Sequence, residues 1–376
     1  MIYLDYNATT PIDPAVADAM RPFIETHFGN PSSGHDLGKK AKEAVASARR
    51  SVARLINADT SEIIFTSGGT EAGNMAIKSV AELSASKGRH FVTTAVEHPA
   101  TIEPMRRLEK RGYRFTAVGV DATGRVDPEE IRRAIRPETI LISVMHAQNE
   151  VGTLEPIAEI GAIAKSAGVA FHVDAAQSMG KAPVDVKAMQ ADFVSIAGHK
   201  LYAPKGIGAL YVRSGVEVEP LICGASQESG RRAGTENVIM SVGLGKAAEL
   251  AAAHLSDPTI VRLRDRLWAG LSEAFGDRIV LNGHKTLRLS GTLNVSFLGF
   301  VGGELLARVP EICASTGAAC HSGDAKPSAV LTAMGISRER AIGAVRFSIG
   351  RPTTEDEIDR AIGLIVRAAN SDRPIH

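Results

Sequence analysis

The sequence predicts an α/β fold, and three observations carry that prediction. Short β-rich runs alternate with stretches of helical periodicity over the first two-thirds of the chain. The runs are rich in β-branched and aromatic residues, and their alternation with helices implies strands buried in a mostly parallel sheet. Glycine and polar residues cluster where the runs end, and such ends are where an open α/β sheet binds its ligands. With 376 residues, 44% hydrophobic and 23% charged, the chain can fill one large or two ordinary domains, and its composition excludes disorder.

Taken in order, Ala44, Val45, Ala48, Val52, Leu55 and Ile56 recur at helical spacing and predict an amphipathic helix. Strands are expected at Ile63–Phe65, Phe91–Thr94, Phe115–Val118, Ile140–Val144, Val169–Val173, Phe193–Ile196 and Ile207–Val212. A helical pattern over Pro156–Ala167 stops at Gly168, and others lie between several of the runs. Crossovers of this kind build a mostly parallel sheet with helices on both faces. Beyond Ala253 the rhythm changes. A long helix over Thr259–Phe275 precedes strand-like Leu293–Phe297 and Val345–Ser348, with helices near Leu305 and Ile358, so a smaller α+β unit is expected there.

Forty-three basic and 42 acidic side chains leave a formal charge of +1, which argues against a general nucleic-acid binder. No run approaches the ~18 apolar residues of a membrane helix. The N-terminus, with Asp5 early and no basic stretch leading into a long apolar one, carries no evident signal peptide. Three cysteines cannot make a disulfide framework, so a reducing cytoplasm is expected.

Four run ends carry polar residues that a plain turn does not require. Thr66-Ser67-Gly68-Gly69-Thr70-Glu71 precedes a helical run from Ala72, and a helix start there would offer N–H groups to an anion; a capped turn reads equally well. Val96-Glu97-His98-Pro99 places a histidine after a strand. Asp174, in His172-Val173-Asp174-Ala175-Ala176-Gln177, is either a helix cap or the partner of a cationic ligand. Lys200, in Ala197-Gly198-His199-Lys200, is an exposed charge unless desolvation makes its amine neutral and able to form a Schiff base. Together, an anion cradle, an acid, a lysine and an imidazole ring are the set that pyridoxal 5′-phosphate (PLP) requires.

The cysteines differ in setting. Cys223, after Leu221-Ile222, reads as a packed hydrophobe, and Cys313 as part of a strand. Cys320 lies in Thr316-Gly317-Ala318-Ala319-Cys320-His321-Ser322-Gly323, a small-residue stretch expected to be an exposed, mobile loop where a thiolate could act as nucleophile. No paired C-x-x-C half-sites exist to support zinc, and no metal is expected. Arg346 sits among apolar residues and needs an anion: either a substrate carboxylate or an internal carboxylate would serve.

These motifs resemble those of the cysteine desulfurases, PLP enzymes of the class V aminotransferase group. The match runs nearly end to end, from Tyr3-Leu4-Asp5-Tyr6-Asn7-Ala8-Thr9-Thr10-Pro11 and Phe28-Gly29-Asn30-Pro31-Ser32-Ser33, through Gly69-Thr70-Glu71, Glu97-His98, Gln148-Asn149-Glu150, Asp174-Ala175-Ala176-Gln177 and Gly198-His199-Lys200, to Arg232-Ala233-Gly234-Thr235-Glu236-Asn237, Gly317-Ala318-Ala319-Cys320 and Arg346-Phe347-Ser348. The resemblance implies PLP fold type I. It implies a large domain over 16–255 with a mostly parallel mixed sheet between helices, and a small domain of 1–15 plus 256–376 carrying the catalytic cysteine. Lys200 would be the Schiff-base lysine, Asp174 the partner of the pyridine nitrogen, Gln177 the contact to the ring hydroxyl, and His98 the stacking and proton-moving residue. Gly69, Thr70 and His199 would hold the phosphate, with Thr235 reaching it from the other subunit of a homodimer. Asn149 and Arg346 would bind the substrate carboxylate.

The implied reaction converts L-cysteine to L-alanine, with the sulfur left on Cys320 as a persulfide for delivery to an acceptor protein. Three departures from the family pattern stand out. Ala197 occupies a position where many desulfurases have a serine. The Ala-Ala-Cys-His-Ser wording around Cys320 is closer to selenocysteine lyases. The chain ends soon after its last helix, where housekeeping desulfurases have a tail that docks an iron–sulfur scaffold. Selenocysteine lyase is therefore the close alternative. A true aminotransferase, which would not need Cys320, and a non-catalytic scaffold stand further off.

Overall fold

The computed structural model describes residues 1–316 and 327–370. After β1 (Ile2–Tyr3), seven strands form the main sheet: β2 (Ile63–Thr66), β3 (His90–Thr94), β4 (Arg114–Val118), β5 (Thr139–Met145), β6 (Ala170–Asp174), β7 (Phe193–Ala197) and β8 (Gly208–Val212). Their spatial order is β2-β8-β7-β6-β5-β3-β4. Neighbours from β7 through β4 run parallel, while β8 is antiparallel to both β7 and β2. The expected mixed, mostly parallel sheet is thus observed.

Alternation along each strand divides the apolar side chains between two layers. Ile142, Val144, Phe171, Val173, Val194 and Ile196 join one core. Leu141, Phe193 and Leu210 face the other, packed by Ala72, Met75, Ala76 and Val80 of the helix Gly69–Leu83. On that second face, three polar side chains stand in a row across adjacent strands. The His172 ring bonds Ser143 Oγ through Nδ1 and Ser195 Oγ through Nε2, both at 2.8 Å. Burial drives His172 down to about 3, so the ring is neutral and its two bonds satisfy it in the sheet interior.

A second sheet follows, built from β9 (Ile279–Asn282), β10 (Thr292–Phe297) and, after the two-residue β11 (Ile312–Cys313), β12 (Ala344–Ser348), in the antiparallel order β12-β10-β9. Leu263, Leu267 and Leu271 of the helix Thr259–Phe275 and Ile358, Ala361 and Ile365 of the helix Glu355–Asn370 cover it. Ile2 and Leu4 belong to this core, because β1 pairs in parallel with β11. The chain's start therefore packs with its end, and the next residues run back toward the main sheet.

Two local expectations differ from the structure. The helix expected from Ala72 begins at Gly69, since Gly69, Thr70 and Glu71 carry no apolar periodicity to announce it. Cys223, expected to be packed, is exposed, as is its neighbour Ile222 at 40%; two apolar neighbours in sequence did not make a buried segment.

Phe297 is fully buried, edge-on to Phe275 with ring centroids 4.9 Å apart. Phe297→Ala should cost about 3–5 kcal/mol through the cavity it leaves. Urea denaturation followed by circular dichroism should show the corresponding drop in midpoint.

Candidate active site

The carboxyl ends of β3, β5, β6 and β7 open on one cavity of about 320 Å³. Eight of the residues predicted from sequence line it: Gly69, Thr70, His98, Asn149, Asp174, Gln177, His199 and Lys200. They arrive from separate parts of the chain, and the parallel sheet brings their strand tips side by side.

Lys200 closes the short turn Gly198–Lys200 after β7. Its Nζ donates to the Asn7 carbonyl at 2.5 Å and the Ala8 carbonyl at 3.1 Å. Burial, reinforced by the positive charge of Arg346, lowers its pKa to about 8, against the opposing pull of Asp174 and Asp5. A lysine so placed has about a tenth of its amine neutral at pH 7, far more than an ordinary lysine. Asp174 ends β6, and its Oδ1 accepts the Ala176 N–H at 2.9 Å. Burial pushes its carboxyl upward, opposed by that N–H and by the nearby His98 and Lys200.

His98 caps the helix Pro99–Glu109, its Nδ1 accepting the Ala100 N–H at 3.1 Å. Burial lowers its pKa and Lys200 lowers it further, while Asp174 raises it. Beneath it, Glu97 Oε1 accepts from Thr94 Oγ1 at 2.8 Å and from the Met145 N–H at 2.9 Å. Burial raises Glu97 well above its ordinary value, opposed by those two hydrogen bonds.

The anion cradle is the N-terminus of Gly69–Leu83, whose first-turn N–H groups have no intrahelical acceptor. A Cβ on Gly69 would lie 3.2 Å from Ala197 Cβ and 3.8 Å from Ala176 Cβ, so glycine keeps this rim open. Glu71 turns away from the cradle. It accepts the Ser67 N–H at 2.8 Å and pairs with Arg232 at 2.9 Å, which hold its carboxyl below its usual range despite burial. His199 bonds Thr9 Oγ1 at 3.2 Å, and burial with Lys200, Lys205 and Lys181 nearby takes it down to about 4.

Arg346, on β12, stands behind Asn149 rather than in the cavity lining. Its Nη2 pairs with Asp5 at 2.7 Å and its Nη1 donates to the Asn149 carbonyl at 3.0 Å, while the buried Nε has no partner among the described residues. The internal carboxylate is thus Asp5. Thr235 is exposed and outside the cavity lining of its own chain. Cys320 lies outside the described residues; Thr316 and Pro327 flank that segment. Among the described residues no cluster of three His, Cys, Asp or Glu is placed to hold a metal ion, and no single helix is long and apolar enough to cross a membrane.

Sequence reasoning missed two residues at the centre of this arrangement. The Asn7 carbonyl accepts both Lys200 Nζ and Gln177 Nε2, the latter at 2.9 Å, and Lys181 Nζ donates to Asn7 Oδ1 at 3.1 Å and Gln177 Oε1 at 3.3 Å. The only signal for Lys181 was its spacing of four from Gln177.

The donor set fits PLP. A nitrogen nucleophile with a depressed pKa, an acid buried where a cation would relieve it, an imidazole and a helix N-terminus converge on one cavity of suitable size. This site, at the carboxyl edge of a mostly parallel sheet, defines a PLP-dependent enzyme of fold type I. The class V aminotransferase family profile matches residues 2–361. Cysteine desulfurase IscS of Methanosarcina thermophila is 47% identical over 369 residues, covering 97% of this chain and 91% of that protein. Cysteine desulfurase 2 of Trichormus variabilis is 49% identical over 368 residues, covering 97% and 92%. Among solved structures, a NifS-like protein superposes with a TM-score of 0.92 at 36% identity, covering 98% and 99% of the two chains. SspA, solved in complex with cysteine, superposes at 0.83 with 36% identity, covering 93% of this chain and 99% of SspA. The chain belongs to the class V aminotransferases and, within them, to the cysteine desulfurase family.

Two outcomes follow for cofactor capture. Only the neutral amine of Lys200 condenses with an aldehyde, so the rate at which cofactor-free protein takes up PLP should rise with pH and reach its half-maximum near the Lys200 pKa of about 8; Lys200→Ala should abolish the visible absorbance. Ala197→Ser adds a hydroxyl to the rim beside Gly69 and should tighten PLP binding by roughly 2–10-fold, as one net hydrogen bond would. Fluorescence titration of the cofactor-free proteins reads the second.

Proposed function

We propose that this chain is a cysteine desulfurase that converts L-cysteine to L-alanine and carries the released sulfur as a persulfide on Cys320. The observation that carries the reading is the convergence of Lys200, Asp174 and His98 on one cavity, in a chain whose similarity to desulfurases runs over nearly its full length.

Bound through Lys200, PLP supplies an electron sink for negative charge developing at the substrate Cα. Asp174 keeps a positive ring nitrogen charged, since a buried carboxylate gains most from a cation beside it. Gly69 and Thr70, at the helix start, with His199, hold the phosphate. Gln177 would contact the ring hydroxyl oxygen, and His98 would lie against the ring and help move protons. Asn149 and Arg346 orient the substrate carboxylate; the unpartnered Nε of Arg346 is the donor in reserve, while Asp5 fixes the rest of the guanidinium. The Lys200 amine, whose pKa burial brings to about 8, would take the Cα proton. The Cys320 thiolate would attack the substrate sulfur, the carbon–sulfur bond breaking with its electron pair passing to Cβ, which is protonated on the way to alanine, while the sulfur stays on Cys320 as a persulfide.

The reading includes a homodimer. Thr235, exposed on its own chain, would reach the phosphate position of a second protomer. A sulfur-acceptor protein would collect the persulfide, in a cytoplasm reducing enough to keep Cys320 a thiol.

Incubation with L-cysteine followed by peptide mass spectrometry should find one added sulfur atom on the Cys320 peptide and free alanine in the medium. Cys320→Ser should lose the added sulfur and alanine formation alike while retaining the visible absorbance of bound PLP. Full alanine formation by the serine variant would rule out the persulfide route. Turnover of L-selenocysteine with none of L-cysteine would transfer the protein to the lyases.

A further inference from the structure

Lys181 is partly buried just behind the cavity, one turn of chain beyond Gln177, and the mechanism gives it no part. Its side-chain hydrogen bonds go to two amide oxygens rather than to a carboxylate: Asn7 Oδ1 at 3.1 Å and Gln177 Oε1 at 3.3 Å. A lysine in such a place carries a penalty that a methionine would avoid. Burial, with Lys200 and Arg346 as like charges nearby, brings its pKa to about 7. Protonated or neutral, the amine keeps at least two N–H donors, so both bonds persist through that titration.

The consequence lies in which end of each amide faces Lys181. An asparagine or glutamine side chain can present either oxygen or NH2 in nearly the same volume, and its hydrogen-bond partners decide between them. In its ammonium form Lys181 has no acceptor, so both amides then turn their oxygens toward it, as they do here. Gln177 then has its Nε2 directed to the Asn7 carbonyl, the same atom that accepts Lys200 Nζ. Asn7, fixed likewise, gives its Nδ2 to Thr292 Oγ1 at 2.9 Å and to the Asn149 carbonyl at 3.2 Å. One buried amine thereby sets the polarity of two side chains, one of which lines the cofactor cavity.

We propose that Lys181 is a positioning residue that locks the amides of Gln177 and Asn7, so that Gln177 holds an NH2 donor, and never its oxygen, on the side of Lys200 and the cofactor. A flipped Gln177 would set a carbonyl oxygen against the ring oxygen of PLP, turning an attraction into a repulsion. This inference rests on the reading of Lys200 and Gln177 as cofactor contacts, and it assigns to Lys181 no contact with substrate or cofactor.

The test is a double-mutant cycle with Lys181→Met and Gln177→Ala, read by PLP affinity and by the pH titration of the bound cofactor's visible absorbance. Each single variant should weaken PLP binding by roughly 5–10-fold, the equivalent of one hydrogen bond, and displace the absorbance titration in the same direction. With Gln177 already truncated, Lys181→Met should add little to either readout. Additive losses, or weakened binding with an unmoved titration, would reduce Lys181 to a packing role and overturn the proposal. If Lys181→Met does not fold, neutron diffraction from the wild-type holoenzyme reads the same point directly. Deuterons on the face of the Gln177 amide away from Lys181 support the proposal, and deuterons on the face toward it refute it. A wild-type protein that fails to capture PLP at all would remove the cofactor reading itself, an outcome distinct from a normal holoenzyme with additive variants.

Discussion

Everything at the site follows from partly shielding one lysine amine from water. Lys200 sits in a short turn at the carboxyl edge of the sheet, where burial and the charge of Arg346 disfavour its ammonium form. Its neighbours are arranged around that fact. Asp174, itself desolvated, lies close enough to temper the effect without neutralising it, and the same burial lowers the pKa of His98. Burial raises the pKa of Glu97 as well, opposed by the Met145 N–H and Thr94. A site with these charges in water would have none of these properties; the low-polarity cavity creates the reactivity.

The enclosure depends on the N-terminal segment. Leu4 is anchored in the core of the second sheet, and three residues later Asn7 delivers its carbonyl to Lys200. Its N–H bonds Ser348 Oγ at 2.9 Å, so the segment is clamped to β12 while it spans to the main sheet. Asp5 in the same stretch fixes Arg346. A few residues thus tie the two sheets together at the point where chemistry is expected, and any shift of one sheet against the other would be felt first at the Lys200 amine.

The sheet was legible in the sequence because strands buried on both faces are mostly apolar, as in Ile140–Val144 and Val169–Val173, and because clusters of polar residues then stand out at their ends. Helix periodicity was equally direct at Thr259–Phe275, which the structure reproduces to the residue. The start at Gly69 was hidden because a helix end built to meet an anion has no apolar face to display. Cys223 misled for a related reason: Leu221 and Ile222 are apolar, but burial depends on what covers a segment, and sequence neighbours do not supply that cover. Asn7 and Lys181 were invisible as a pair because their contact spans 174 positions of chain, and a lone lysine beside a glycine reads as surface.

The row formed by Ser143, His172 and Ser195 binds β5, β6 and β7 together, and it lies beneath the very strand tips that carry the site. It works as a crossbar. Main-chain ladders permit twist and slide between strands, whereas side-chain bonds through a rigid imidazole fix the interval. Since this ring gains a proton only near pH 3, acidification that alters every group above it leaves the bar unchanged. The spacing between acid and amine is therefore a property of the frame, set beneath the cavity and indifferent to the ionisation of what the cavity holds.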